Sequence, residues 1–373
     1  MKIVGAEVHA VRLPLHRPFV VSYGRFDDMP SILLRIVTDE GVEGWGEAVP
    51  DPHVTGETFE GAYASLCHVL LPCLEGLTVF DTAQLHQRMD RTLRGNPSIK
   101  AAVDIAVHDA LATAVDLPLF RVLGGQAHSE LTQPYVIGIT SPEAAADEAS
   151  AAVAAGYTEI KLKVGSDDGD DIRRIRSLHR AVNGRARLRV DANQGWDRST
   201  ALQVISQTAD CAVQWYEQPL PADELESLAE LARATDARLM IDEAVHTPSD
   251  LIRAVHLSAA DMVNIKLMKA GGVRPSLALA SISEAAGMPC QIGSMVESAV
   301  GTMAGVHVAF AHPAIVSNEL VGPEMIAEDI ADVPIRAGRV PLPDGSGLGI
   351  EVNLNAIARL RVAQSEWSTS SSR

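Results

Sequence analysis

Three short apolar runs, Leu188-Arg-Val-Asp191, Val213-Gln-Trp-Tyr-Glu217 and Leu239-Met-Ile-Asp242, each end on a carboxylate and decide the fold. Five further runs of the same kind flank them, and amphipathic stretches separate all eight; the flanking runs are 135–139, 159–164, 262–266, 290–293 and 315–320. Strands that alternate with helices in this way are typical of a parallel barrel. The sequence therefore predicts an α/β fold of the modified (β/α)8, or TIM, barrel type.

Charged residues end five successive runs at the spacing of one barrel unit. They are Lys163, Asp191, Glu217, Asp242 and Lys266, separated by 28, 26, 25 and 24 residues. A βα unit takes about 25–30 residues, so each step advances one strand around the barrel. Charges at the ends of apolar strands are costly unless they bind something. We expect the five side chains to converge on an active site at the C-terminal mouth.

The residue types at these positions indicate a metal-assisted proton transfer. Asp191, Glu217 and Asp242 offer only oxygen ligands, which favours Mg²⁺, with Mn²⁺ as an alternative. Lys163 and Lys266 flank them and can approach opposite faces of a carbon acid. Neighbouring cations such as Lys161, together with burial, are expected to lower the lysine pKa until the amine is a usable base. The predicted reaction removes the proton next to a carboxylate, and the metal stabilises the resulting enediolate.

The remaining chain divides into two further parts. Residues 1–125 predict an α+β capping domain with strands at 3–13, 31–38 and 41–47, helices at 59–74 and 99–115, and loops at 17–30 and 48–58. Residues 126–325 hold the barrel. Residues 326–373 are expected to return to the capping domain, and the polar stretch 365–373 is expected to be disordered.

Composition excludes several classes of partner. The formal net charge of −17 repels nucleic acid and anionic lipid, so neither is expected as a partner. The N-terminus lacks the apolar core of a signal peptide, and no apolar run is long enough to span a membrane. We expect a cytoplasmic enzyme whose partner is a small-molecule carboxylate substrate.

These motifs resemble the enolase superfamily, and within it the muconate-lactonizing-enzyme subgroup. The matching stretches begin at the five strand ends and continue into the seventh strand; they are Lys161-Leu-Lys163-Val-Gly165, Asp191-Ala-Asn193-Gln-Gly195-Trp196, Glu217-Gln-Pro219, Asp242-Glu243, Asn264-Ile-Lys266-Leu-Met-Lys269-Ala-Gly-Gly272 and Gly293-Ser-Met-Val-Glu297-Ser298. The resemblance implies Mg²⁺ at Asp191, Glu217 and Asp242, and Lys163 and Lys266 as the acid/base pair. It also implies a homo-oligomer.

The resemblance gives supporting roles to Asn193 and Glu243, and substrate contacts to Ser294, Glu297 and Glu319. Gly293-Ser294 stands where mandelate racemase-type members place a histidine, which disfavours that type. Several reactions in the subgroup share this machinery and stay open as alternatives: cycloisomerisation, o-succinylbenzoate formation, dipeptide epimerisation, N-acylamino acid racemisation and hydroxyproline-type dehydration.

Two features favour racemisation of an N-acyl, and specifically an N-succinyl, amino acid. Dipeptide epimerases carry Asp-x-Asp on the eighth strand, whereas this chain has Glu319-Leu-Val321. The segments 22–30 and 51–57 are similar to those of racemases acting on basic N-succinyl amino acids. Asp28 and Asp51 on these loops are candidates for binding a guanidinium or ammonium side chain. The competing interpretation is that both aspartates cap local backbone turns.

Overall fold

The structure, a computed structural model, describes residues 1–369. Its N-terminal unit is an antiparallel sheet with β1 (Ile3–Val21), β2 (Gly24–Thr38) and β3 (Glu43–Ala48) in chain order. The C-terminal strand Arg361–Ser368 pairs with β1 and adds a fourth strand at the edge. The prediction that residues 365–373 are disordered is therefore wrong for 365–368, and residues 370–373 lie outside the described chain.

Helices pack on one face of this sheet. They are α1 (Phe59–Ser65), which continues through a π-helical turn (Leu66–Leu70) and a 3₁₀ turn (Leu71–Leu74), α2 (Thr82–Thr92), α3 (Pro97–Ala114) and α4 (Leu119–Val122). Helix α2 was not predicted. Buried α3 lies directly against β3, because Gly44 and Gly46 present no side chain to it. A Cβ atom on Gly46 would stand 1.9 Å from the Ala102 carbonyl oxygen.

Residues 17–30 were predicted to form a loop, and that prediction is wrong. Strands β1 and β2 continue through this segment and stay paired as far as Val21 and Gly24. The register shifts between Pro14 and Phe19, where prolines interrupt both the alternation of side chains and the hydrogen-bond ladder. The result is a long hairpin that extends beyond its own sheet.

The second unit is the predicted barrel. All eight predicted runs form parallel strands, hydrogen-bonded in chain order: β5 (Tyr135–Ile137), β6 (Glu159–Lys163), β7 (Arg187–Asp191), β8 (Val213–Glu217), β9 (Leu239–Ile241), β10 (Met262–Ile265), β11 (Cys290–Ile292) and β12 (Ile315–Asn318). The short strand β4 (Leu131–Thr132) precedes them and pairs with β13 (Arg339–Val340). The fold class predicted from the sequence is confirmed.

Helices connect the barrel strands and cover the outside of the sheet. They are α5 (Pro142–Ala154), α6 (Asp168–Val182), α7 (Arg198–Gln207), α8 (Leu225–Ala234), α9 (Pro248–Leu257), α10 (Leu267–Ala270), α11 (Val273–Ala285), α12 (Ala299–Ala311) and α13 (Gly322–Met325), with a 3₁₀ turn at Ala209–Cys211 and α14 (Leu354–Leu360) beyond. Within residues 1–369, no helix is long and apolar enough to cross a membrane.

Buried carboxylates of the capping unit hold the two units together. Glu47 at the end of β3 accepts hydrogen bonds from the Ser298 and Gly301 backbone N–H groups, at 2.9 and 2.8 Å, and so caps α12. Asp104 on α3 accepts from the Val273 and Arg274 N–H groups at the start of α11. Negative charge at a helix N-terminus is favourable, so each unit completes helices of the other.

The contact between β3 and α3 gives a stability prediction. Gly46→Ala should lower the free energy of unfolding by about 2–3 kcal/mol, because the added methyl group forces the sheet and helix apart. Urea unfolding followed by circular dichroism measures the loss. Gly5→Ala is the control, since its Cβ would meet only the Trp367 carbonyl oxygen at 3.6 Å. Equal stability of the two variants would contradict this account of the packing.

Candidate active site

The predicted site residues stand side by side at one end of the barrel. Lys163 on β6 pairs in register with Asp191 on β7, and Asp191 pairs with Glu217 on β8. Asp242 follows directly after β9, and Lys266 directly after β10. The three carboxylate residues are fully buried, and both lysines are nearly so. The alternation of side chains along each strand places these residues inside the barrel rather than against the outer helices.

Lysine ammonium groups lie against every carboxylate of the triad. Lys161 Nζ stands 2.9 Å from both Asp191 Oδ2 and Glu217 Oε2, and it also contacts Glu319. Lys163 Nζ is 2.6 Å from Asp191 Oδ2. Lys161 thus joins strands two, three, four and eight of the barrel through a single buried charge.

Asp242 is held by a second pair of lysines. Lys266 Nζ is 2.8 Å from Asp242 Oδ2, and Lys269 Nζ is 2.6 Å from Oδ1. Lys269 also donates to three backbone carbonyl groups, those of Asp242, Val245 and Asn264. Each carboxylate oxygen of Asp242 is therefore paired with one lysine ammonium group.

The pKa values follow from burial opposed by these ion pairs. Burial raises the pKa of Asp191, but Lys161 and Lys163 outweigh it and bring the pKa to about 2. Burial and the neighbouring Asp191 raise the pKa of Glu217 to about 8. Burial lowers the pKa of Lys266, but Asp242 and Glu243 prevail and hold it well above its usual range. The expectation of a lowered lysine pKa is thus wrong for Lys266 in this state.

The donor set fits a hard divalent cation. Three buried carboxylates on consecutive strands supply oxygen ligands, and the Lys161 ammonium already places positive charge between Asp191 and Glu217. Asp242 supplies two further carboxylate oxygens, and each is paired with a lysine ammonium group. Among residues 1–369, no three acidic, His or Cys side chains stand at ligating separations as they are placed. Ligation would therefore need the carboxylates to shift from their lysine partners.

The turns that follow β7 and β11 are strained. Asn193 and Gln194 have φ of 41° and 67°, and Val296 has φ of 64°, a region that β-branched residues rarely adopt. Asn193 Nδ2 donates to Glu243 Oε1 at 2.9 Å, so the two predicted supporting residues contact each other. Strained backbone of this kind is characteristic of functional sites.

The predicted substrate contacts on the seventh and eighth strands are bound to protein groups. Ser294 Oγ donates to Glu297, whose other oxygen accepts from the Met295 N–H at 2.9 Å. Burial raises the pKa of Glu297 to about 7. Glu319 is buried and accepts from Lys161. Two residues later the chain has the apolar Val321, at the position of the second carboxylate of the Asp-x-Asp pattern.

The hairpin of β1 and β2 covers the mouth and carries residues that the sequence did not single out. Lys163 Nζ lies 6.0 Å from the centre of the Phe19 ring, and Ser22 Oγ donates to the Asn193 carbonyl at 2.6 Å. Tyr23 is largely buried, and burial is the main cause that raises its pKa; Asp51 and Glu243 raise it further, whereas the Lys266 ammonium group opposes them. Segment 22–30 was noted for its resemblance to racemases of basic N-succinyl amino acids, but Phe19, Ser22 and Tyr23 were given no role.

Asp28 and Asp51 differ in position and in partners. Asp28, on β2, is partly exposed and pairs with Arg12 at 2.9 Å. Asp51 is buried, and its Oδ1 accepts from the His53 and Val54 N–H groups at 2.7 and 2.9 Å. Asp51 therefore caps a local turn, and that turn brings His53 to a ring-centre distance of 4.9 Å from Tyr23. Of the two aspartates, Asp51 is the one near the mouth.

Comparison with known proteins assigns the family. Residues 3–124 match the mandelate racemase/muconate lactonizing enzyme N-terminal domain, and residues 144–356 match the enolase C-terminal domain-like family. The chain belongs to the mandelate racemase/muconate lactonizing enzyme family. It is an isomerase of the enolase superfamily, as the motifs predicted.

Individual members of this family are similar over the whole chain. The N-succinyl-L-Arg/Lys racemase of Bacillus cereus is 41% identical over 98% of this chain and 99% of its own length. Its crystal structure superposes with a TM-score of 0.97, covering 98% of this chain and 100% of that chain at 40% identity. The L-Ala-D/L-Glu epimerase of Bacillus subtilis is 34% identical over 94% of this chain and 97% of its own.

One further family structure contains a metal and a basic dipeptide. The dipeptide epimerase of Methylococcus capsulatus, complexed with Mg and L-Arg-D-Lys, superposes with a TM-score of 0.89 at 34% identity. The alignment covers 94% of this chain and 99% of that one. Muconate cycloisomerases match as well, so the family likeness spans several of the alternative reactions.

The buried charge of Lys161 gives a prediction. Lys161→Met should lower the free energy of unfolding by about 3–5 kcal/mol, because it removes the cation that pairs with three buried carboxylates, those of Asp191, Glu217 and Glu319. Lys100→Met is the matched control and should cost about 1 kcal/mol or less, since Asp90, its partner at 2.7 Å, is 65% exposed. Denaturant unfolding compares the two variants. A Lys161→Met protein as stable as the control would show that its ion pairs are not structural.

Proposed function

We propose that this chain racemises an N-acyl amino acid, specifically an N-succinyl amino acid with an arginine or lysine side chain. The observation that carries the proposal is the placement of Lys163 and Lys266 on either side of the carboxylate triad. Lys163 lies at the end of the second of the eight parallel strands, and Lys266 directly follows the sixth, so the three strands of the carboxylate triad separate them. Racemisation needs one proton-transfer group on each face of the α-carbon.

The proton transfer is carried by these two lysines. One lysine, as the neutral amine, takes the α-proton, and the other, as the ammonium, returns a proton to the opposite face. Reversal of the two roles converts the other enantiomer. Lys161, fixed by Asp191, Glu217 and Glu319, supplies a permanent positive charge beside the substrate carboxylate.

We propose that Asp191, Glu217 and Asp242 hold Mg²⁺, which supplies electrostatic stabilisation of the negative charge that develops on the substrate carboxylate. Support comes from the all-oxygen donor set and from the Mg that accompanies the dipeptide in the structure of the related epimerase. A divalent cation on Asp242 would also weaken the ion pair that keeps Lys266 protonated. Substrate binding and proton transfer are then linked to the same carboxylates.

Two observations favour an N-acyl group over a dipeptide. A dipeptide carries a free ammonium group that needs an unpaired carboxylate. On the eighth strand Glu319 is engaged by Lys161, and Val321 is apolar. The name of the most similar relative reported above, an N-succinyl-L-Arg/Lys racemase, points the same way.

The preference for a basic side chain rests on the negative charge around Tyr23. Asp51 and Glu243 both lie within electrostatic reach of its hydroxyl. A guanidinium group there would form charge-assisted hydrogen bonds with carboxylate oxygens. We assign this role to Asp51 rather than to Asp28, because Arg12 already neutralises Asp28.

Isotope exchange tests the reaction and the roles of the two lysines together. In D₂O with Mg²⁺, the wild type should exchange the α-proton of N-succinyl-arginine for deuterium and invert the configuration of the α-carbon. Lys163→Ala and Lys266→Ala should each abolish inversion, while each retains exchange with only one enantiomer, the opposite one in the two variants. Loss of a positioned base is expected to slow the affected exchange about 10²–10⁴-fold.

Mass spectrometry follows deuterium and polarimetry follows inversion. Dialysis against EDTA should stop both processes in the wild type, and added Mg²⁺ should restore them. Exchange without inversion would exclude a racemase and favour a lyase-type reaction. Activity that survives EDTA or the double lysine variant would exclude the proposed mechanism.

Side-chain recognition is tested with substrates that differ in charge. Asp51→Asn should reduce the ratio of kcat/KM for N-succinyl-arginine to that for N-succinyl-norleucine about tenfold, through loss of a charge-assisted hydrogen bond. The amide keeps the oxygen that caps His53 and Val54. Asp28→Asn should change the ratio less. A ratio unaffected by Asp51→Asn would rule out cation recognition at this loop.

A further inference from the structure

A cavity of about 600 Å³ lies beside the mouth, at the seam between the first and eighth barrel strands. The hairpin forms one wall, and the segments that follow β5 and β12 form the other. Its lining includes two arginines, two glutamates and two apolar residues: Arg17, Arg25, Glu148, Glu324, Phe19 and Val321. The cavity holds none of the triad or lysine residues, so it adds a compartment to the site described above.

Phe19 connects this cavity with the catalytic lysine. Its ring lines the cavity and also lies 6.0 Å, at its centre, from Lys163 Nζ. The wall is fixed in place, because the Ile139 N–H donates to the Val20 carbonyl at 2.9 Å. A Cβ on Gly138 would stand 3.1 Å from that same carbonyl oxygen, so the hairpin approaches the barrel closely here. A substrate at Lys163 therefore has this cavity next to it.

Most charged groups in the cavity wall already have partners. Arg17 donates to the Tyr135 hydroxyl at 2.8 Å and to Glu148. Glu324 accepts from the Tyr157 hydroxyl at 2.7 Å. Within residues 1–369, Arg25 has one ion-pair partner, Asp27 at 3.1 Å, and the two side chains are 60% and 70% exposed. An ion pair so exposed is weak, so the Arg25 guanidinium can turn to a ligand at little cost.

We propose that this cavity binds the N-acyl arm of the substrate and that Arg25 binds a carboxylate at the end of that arm. The inference rests on the proposed function and extends it. The mouth then has two ends of opposite charge, with Arg25 at one and Asp51 with Glu243 at the other. A substrate with an anionic acyl group and a cationic side chain can bind in one orientation only.

Arg25 reaches the cavity from β2, directly opposite Val20 on β1. Its guanidinium can form two parallel hydrogen bonds to a carboxylate, which a neutral acyl group cannot accept. Val321 supplies apolar wall for the methylene groups of the arm. Arg25 is thus a specificity-determining residue, and it takes no part in proton transfer.

The test uses ligands without a stereocentre, so that binding is measured separately from racemisation. Calorimetry with Mg²⁺ present gives the Kd of N-succinylglycine and of N-butanoylglycine, which has a methyl group in place of the terminal carboxylate. The wild type should prefer the succinyl ligand. Arg25→Met should reduce the preference about tenfold through loss of the charged hydrogen bonds. Arg253→Met is the control, because Arg253 has similar exposure and its partner, Glu226, lies on an outer helix.

Each outcome is decisive. A preference lost in Arg25→Met and kept in Arg253→Met supports the acyl cavity, even if the wild type fails to invert N-succinyl-arginine in D₂O. Equal binding of the two ligands by the wild type, or a preference that survives Arg25→Met, overturns the inference and leaves the proposed racemase intact. Failure of inversion alone overturns the racemase and leaves the acyl cavity standing.

Discussion

The balance of charge inside the barrel mouth is the constraint on which the rest of the structure depends. Three buried carboxylates on adjacent strands repel each other, and removal of each from water is costly. Four lysines offset this repulsion, and each one contacts at least one of the three carboxylates. Loss of any member would therefore change the net charge of a buried cluster, which is costly. The chemistry and the stability of the barrel therefore rest on the same residues.

The same constraint explains the capping unit. Charges at an open barrel end would be surrounded by water, where ion pairs are weak and a carbanion would be reprotonated at random. The hairpin and the loop around Asp51 close the mouth, and Tyr23 and His53 touch where they meet. Glu47 and Asp104 fix this cover to the barrel by capping α12 and α11. Buried carboxylates therefore attach the capping unit to the barrel, just as buried charges hold the strand-end residues together.

The barrel and its strand-end residues could be predicted because their pattern is local and regular. Strands that end on a charged residue recur at an even spacing along the chain. Alternate side chains of each strand point into the barrel, so the strand-end charges face the same interior. The hairpin could not be predicted, because its prolines and its register shift between Pro14 and Phe19 remove the alternation that identifies a strand. The final strand was missed for a different reason. Its polar sequence suits an exposed edge, and only its pairing with β1 orders it.

The raised pKa of Lys266 could not be predicted from the residue types alone. Burial and neighbouring cations lower a lysine pKa, which is what the sequence suggested, but Asp242 and Glu243 oppose them and prevail. Whether Lys266 acts as a base is therefore decided by what else binds Asp242. We infer that substrate choice depends on a different segment, the hairpin, because Phe19, Tyr23 and Arg25 lie there and not on the barrel strands. One barrel can therefore serve several reactions, since the hairpin can change without disturbing the charge balance beneath it.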